Sequence, residues 1–70
     1  MDEYTINFRW DDDANVWIAI CDEIPLAVEH GSFDALIEKV KVIVPEILAL
    51  NEKPNYSRLY IQSERLTAHG

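Results

Sequence analysis

Apolar residues occupy every second position near the start of the chain: Tyr4, Ile6, Phe8 and Trp10. This period of two predicts a strand with one buried face. The polar cluster Asp11–Asn15 then predicts a turn, and Val16–Cys21, apolar on both faces, predicts a second strand. Because the link is short, we expect the two strands to form an antiparallel hairpin.

The pattern leaves the register of this hairpin open. A five-residue loop would pair Trp10 with Val16, so that Trp17 points away from Phe8. A four-residue loop would instead place Trp17 on the same face as Phe8.

A third strand and a long helix follow. The second strand is expected to end at Asp22–Pro25, because proline removes a ladder donor, and Leu26–His30 predicts a short third strand. Ser32 is placed to cap a helix, and Asp34 would lie in its first turn. Apolar residues recur at three- and four-residue steps after it: Phe33, Leu36, Ile37, Val40, Ile43, Val44, Ile47 and Leu48. This spacing predicts an amphipathic helix packed on the sheet.

Pro45 interrupts this helical pattern. Since the apolar phase continues beyond it, we expect either a kink or a break with Pro45 starting a second short helix. An exit loop at 51–55 and a fourth strand around Leu59 and Ile61 complete a β-β-β-α-β order. The prediction is one α+β two-layer domain over residues 1–70, with an ordered core of about 3–66 and a loose tail after Leu66.

Charge is distributed unevenly along the 70 residues. Residues 1–34 carry nine acidic side chains and one basic side chain, a net charge of −8, whereas residues 35–70 carry four acidic and five basic ones, a net charge of +1. Such a field attracts cationic surfaces and repels phosphate backbones. We therefore expect a basic protein partner and no direct nucleic-acid binding.

The remaining composition indicates where the chain is expected to act. Cys21 is the one cysteine, which is typical of a reducing compartment. The sequence shows no signal peptide and no apolar run of membrane-spanning length. We expect a cytoplasmic protein without a membrane anchor, and a domain this small gains stability by forming a homodimer.

Three segments carry a resemblance to a known family. Val16–Pro25, followed by Val28–Leu36, resembles the HicB-like antitoxin domain, and Ile43–Leu48 with Asn51 resembles a short bacterial subfamily that is known as a domain of unknown function. The glycine that usually follows the proline of this pattern is replaced by Leu26.

This resemblance covers most of residues 4–51 and implies a partial ribonuclease-H-like fold without the catalytic carboxylates. It also implies docking on a small basic toxin that cleaves mRNA. In that family a separate C-terminal module binds DNA, and residues up to Gly70 contain no counterpart of it.

The candidate partner-binding residues are acidic or aromatic: Asp11, Asp12, Asp13, Trp17, Asp22 and Glu23. Three consecutive aspartates rarely converge on one ion, so we interpret Asp11–Asp13 as turn charge and expect no metal or other cofactor. Cys21 is interpreted as an inert core cysteine rather than as a nucleophile paired with His30, which lies just before the helix cap, so we expect no enzyme activity.

Two other functions remain open at this stage. The same fold could serve as a homo-oligomeric adaptor with no toxin partner. A small metal-dependent nuclease ranks last, because fold alone does not establish activity.

Overall fold

The computed structural model describes residues 2–64, which form four strands and one helix: β1 Glu3–Asp11, β2 Val16–Cys21, β3 Leu26–His30, α1 Phe33–Leu50 and β4 Arg58–Glu64. The predicted α+β class and β-β-β-α-β order are confirmed. The predicted tail after Leu66 and the last two residues of the predicted core lie outside the described residues.

The four strands form one mixed sheet in the order β3-β2-β1-β4. Neighbouring strands in the β1–β2–β3 meander are antiparallel, whereas β4 returns beside β1 and runs parallel to it. The long connection through α1 permits this parallel return, since a parallel pair cannot be joined by a tight turn. β3 and β4 are therefore the two edges of the described sheet.

The hairpin has the four-residue turn, and the five-residue alternative is wrong. Trp10 pairs with Trp17 and Asp11 with Val16, which leaves residues 12–15 as the turn. Asn15 has φ 57, a left-handed conformation that asparagine tolerates better than most residues. A carboxylate oxygen of Asp11 accepts the backbone N–H of Asp13 at 3.0 Å, which fixes the first part of the turn.

The core lies between α1 and one face of the sheet. The helix buries residues at four-residue spacing: Leu36, Val40, Val44 and Leu48. The sheet and the β2–β3 turn contribute the other buried apolar residues: Ile6, Phe8, Ala19, Cys21, Ile24 and Leu26. Helix contacts fall on β3 and β2, so the helix lies over that half of the sheet.

Capping interactions define both ends of α1. The Ser32 hydroxyl accepts the backbone N–H of Ala35 at 3.3 Å, as predicted for the N-cap. At the other end, the Asn51 side-chain amide donates to the carbonyl of Ile47 at 2.8 Å. The backbone N–H of Lys53 donates to Leu48, also at 2.8 Å, so carbonyls of the last turn are satisfied.

Pro45 lies inside α1, which runs without interruption from Phe33 to Leu50. The predicted alternative of a second helix starting at Pro45 is therefore wrong. Packing of Val44 and Leu48 against the sheet holds the helical turn together although Pro45 has no N–H to donate to Lys41. Tertiary packing outweighs the local cost of the proline here.

The described chain contains no helix that is both long and apolar enough to cross a membrane.

Candidate protein-docking groove

The acidic residues predicted as a partner site are divided between the two ends of β2. Asp11–Asp13 precede Val16, and Asp22 with Glu23 follow Cys21. The six residues of β2 place these groups roughly 20 Å apart. A partner that contacts both sets must extend along the whole strand.

The β1–β2 turn positions the first set. Asp12 and Asp13 are exposed, Asp11 is partly buried, and the Asp11 carboxylate accepts the backbone N–H groups of Asp13 and Ala14. The Trp10 indole N–H donates to the Asp12 carboxylate. These hydrogen bonds hold three carboxylates close together in a defined turn.

An open groove of about 420 Å³ lies beside this turn, and we call it the hairpin groove. It is lined by apolar, acidic and basic residues: Trp10, Ile18, Ile20, Asp11, Asp12, Asp13 and Arg9. Ile18 and Ile20 alternate with the buried Ala19, so they lie on the sheet face opposite the helix. The groove thus combines an apolar floor with an acidic rim.

The rim carboxylates have no cationic partner in the part of the chain that the structure describes. The ion pair found between residues 2 and 64 is Lys41 with Glu38, at 3.3 Å on the exposed side of α1. With three aspartates and one arginine, Arg9, the hairpin groove has a net charge of −2 at pH 7. Within residues 2–64, no basic side chain neutralises this charge through an ion pair.

Comparison with known proteins identifies the family. The model of a domain of unknown function, DUF1902, matches residues 3–67. The chain belongs to the DUF1902 family.

A solved structure supports the same fold for this DUF1902 domain. The crystal structure of a hypothetical protein from the extremely thermophilic bacterium Thermus thermophilus is similar, with a TM-score of 0.74 and 29% sequence identity over 97% of each chain. No protein of curated function matches this chain.

The structure places Trp17 of the DUF1902 domain on the helix side of the sheet. Its ring meets Phe33 at a centroid distance of 4.8 Å and Trp10 at 5.5 Å, both in edge-on arrangements. The five-residue loop that would have turned Trp17 toward the open face does not occur. Trp17 is half-buried, and it supports the acidic turn through its pairing with Trp10.

The thiol of Cys21 and the imidazole of His30 lie far apart. Cys21 pairs with Leu26 and His30 with Trp17, so four steps along β2, roughly 13 Å, separate them. Cys21 is 7% exposed, and His30 Nδ1 accepts the backbone N–H of Ser32 at 2.9 Å. The two groups cannot exchange a proton directly. Within residues 2–64 the structure brings together no group of three side chains able to hold a metal ion.

The sequence analysis did not identify the apolar floor of the hairpin groove. The signal was present, because Val16–Cys21 is apolar on both faces although a helix covers one face only. A strand of that kind, in a sheet with a single helical layer, must present apolar side chains on its uncovered face.

Proposed function

We propose that this DUF1902 domain is an antitoxin-like, protein-binding module that neutralises a small basic mRNA-cleaving toxin by docking on it. The hairpin groove carries the proposal, because it joins an apolar floor to carboxylates that have no ion-pair partner among residues 2–64. The resemblance of Val16–Pro25 and Val28–Leu36 to the HicB-like antitoxin domain supplies the class of partner.

The groove suits a lysine or arginine side chain of the partner. The aliphatic stem of such a residue packs on Ile18 and Ile20, while its charged end reaches the rim aspartates. Exposed charges of this kind chiefly accelerate association and set specificity, and the buried apolar contacts slow dissociation. The complex inhibits the toxin because the domain covers its cationic RNA-binding surface, and because the acidic rim repels RNA phosphates.

Co-expression tests the proposal. The domain is produced together with the small basic protein encoded in the neighbouring reading frame, and growth and co-purification are followed. We expect growth to be restored and a complex to form that weakens as salt is raised, because exposed charge pairs are screened. If growth is not restored, or the two proteins do not co-purify at low salt, the proposal fails.

A second candidate function is a homo-oligomeric adaptor with no toxin partner. The outer edge of β4, which pairs with no other strand among residues 2–64, favours it. Light scattering on the purified domain with and without the basic protein separates the two functions, since an adaptor of this kind gives the same particle size in both samples.

A further inference from the structure

β4 is a long edge strand of the described sheet that lacks a proline and a bulge, two features that protect sheet edges. Its seven residues pair in continuous register with β1, from Glu3 opposite Arg58 onward, and β1 is its one strand neighbour among residues 2–64. It contains no proline, and the regular register leaves no bulge. Edge strands of this kind associate with other strands unless they are covered.

Apolar side chains on both faces of β4 are open to solvent. Ile61 is 42% exposed on the helix side, opposite Ile6, and Tyr60 is 46% exposed on the other face, opposite Thr5. The helix leaves Ile61 uncovered because it packs over β3 and β2. Partial exposure on both faces fits an edge strand beside which the sheet continues with a further strand.

The two ends of β4 carry opposite formal charges, which an antiparallel arrangement of two copies brings together. When two copies pair about a two-fold axis through Ile61, Tyr60 of one copy lies opposite Gln62 of the other, and Leu59 lies opposite Ser63. Arg58 faces position 64, which is a glutamate and has the opposite formal charge. Opposite charges directly across antiparallel strands stabilise the pair, and like charges would destabilise it.

We propose that two copies of this chain pair through β4 about Ile61, forming a continuous eight-stranded sheet with both helices on one face. A second copy suits this edge better than an unrelated strand, because the pairing brings the exposed Ile61 of both copies together and sets opposite formal charges across from each other at positions 58 and 64. Since the two β4 strands run in opposite directions, the two hairpin grooves lie at opposite ends of the dimer. Pairing of single edge strands buries a small area, so the dimer depends on protein concentration.

Disulfide trapping tests the register. In a Cys21→Ala background, Ile61→Cys brings two thiols together across the axis, because opposed residues of antiparallel strands have Cα atoms about 4.5–5.5 Å apart, within disulfide range. Val42→Cys is the matched control, since Val42 is 62% exposed on the helix, away from β4. We expect oxidation to convert most of the Ile61→Cys protein into covalent dimer and to leave most of the Val42→Cys protein monomeric.

A mixture of two cysteine variants tests the same two-fold axis through Ile61. Leu59→Cys protein and Ser63→Cys protein should cross-link to each other and not to themselves, because these two positions are opposed in the proposed register. Cross-linking of Val42→Cys equal to that of Ile61→Cys, or no preference in the mixture, overturns the proposal.

Sedimentation of non-covalent variants gives an independent measurement. Both Ile61→Lys and Val42→Lys replace an exposed apolar residue, so both are expected to fold, which circular dichroism verifies. We expect wild type and Val42→Lys to dimerise with rising concentration, and Ile61→Lys to remain monomeric. A monomeric wild type, or an Ile61→Lys protein that dimerises as wild type does, overturns the proposal. None of these variants alters the hairpin groove, so the outcome is independent of toxin docking.

Discussion

Trp10 and Trp17 lie directly opposite each other on β1 and β2, with ring centroids 5.5 Å apart and ring planes at 64°. This pair belongs to the register that produces the four-residue turn. A slip of one residue would turn Trp17 to the open face and bury Ile18 and Ile20 under the helix. The apolar floor and acidic rim of the hairpin groove therefore depend on the same pairing that places the two tryptophans together.

The contact between Trp17 and Phe33 should be measurable as a coupling energy. The rings are 4.8 Å apart in an edge-on arrangement. In a double-mutant cycle with Trp17→Ala and Phe33→Ala, we expect a coupling of about 0.5–1.5 kcal/mol in the free energy of unfolding. Urea denaturation of the four proteins measures it. Strictly additive effects would show that the ring contact does not stabilise the fold.

Two leucines of α1 provide a matched test of the core. Leu36 is fully buried and Leu50 is 84% exposed. We expect Leu36→Ala to lower the free energy of unfolding by about 2–5 kcal/mol, because it removes buried methyl groups and leaves a cavity. Leu50→Ala should change it by no more than about 0.5 kcal/mol. Similar losses at the two positions would contradict the packing of the helix on the sheet.

The N-cap of α1 can be removed and restored at one position. Ser32→Ala deletes the hydroxyl that accepts from Ala35, and we expect a loss of about 1 kcal/mol in the free energy of unfolding. Ser32→Asp keeps an acceptor and adds negative charge at the helix N-terminus, so it should retain the stability of the wild type. Thermal unfolding of the three proteins measures the difference. Equal melting temperatures for the alanine and aspartate variants would contradict a capping role.

Replacement of Pro45 should stabilise the protein. Pro45→Ala restores a backbone donor to the carbonyl of Lys41 within a helix that is already continuous, so we expect a gain of about 1–3 kcal/mol in the free energy of unfolding. Pro54→Ala, in the loop after the helix, should give no gain. Chemical denaturation of both variants provides the measurement. An unchanged or lower stability of Pro45→Ala would show that the proline ring contributes packing that alanine cannot replace.

The sequence predicted the strands and the helix well because each carries a local signal. The alternation around Tyr4–Trp10, the stop at Pro25 and the cap at Ser32 act over a few residues, and the structure confirms them. The sequence left open whether the helix continues through Pro45 or breaks there, because the outcome depends on packing of residues distant in sequence, which outweighs the local cost of the proline.

The candidate site was predicted only in part for a similar reason. The acidic residues were identified from charge, but charge alone does not show that Asp11–Asp13 and Asp22 lie at opposite ends of a strand. The hairpin register, which decides which face Trp17 and Ile18 occupy, differs between the alternatives by a single residue. Turn hydrogen bonds and core packing together select it.

The central claim is that the basic partner docks at the hairpin groove. Neutralising the acidic residues at each end of β2 in separate proteins tests this claim most directly. Asp11→Asn, Asp12→Asn and Asp13→Asn are combined in one protein, and Asp22→Asn with Glu23→Gln in a second. An asparagine at position 11 keeps a side-chain oxygen to accept the turn hydrogen bonds, so the hairpin is preserved.

The measurement is the dissociation constant of each protein for the small basic partner, obtained by titration calorimetry at low and physiological salt. Three rim charges worth about 0.5 kcal/mol each correspond to about tenfold in affinity. We expect the triple variant to bind about tenfold more weakly with a reduced salt dependence, and the variant at the opposite end to bind as wild type does. Equal affinity of all three proteins at low salt, or a larger loss for the Asp22 and Glu23 variant, would contradict docking at the hairpin groove.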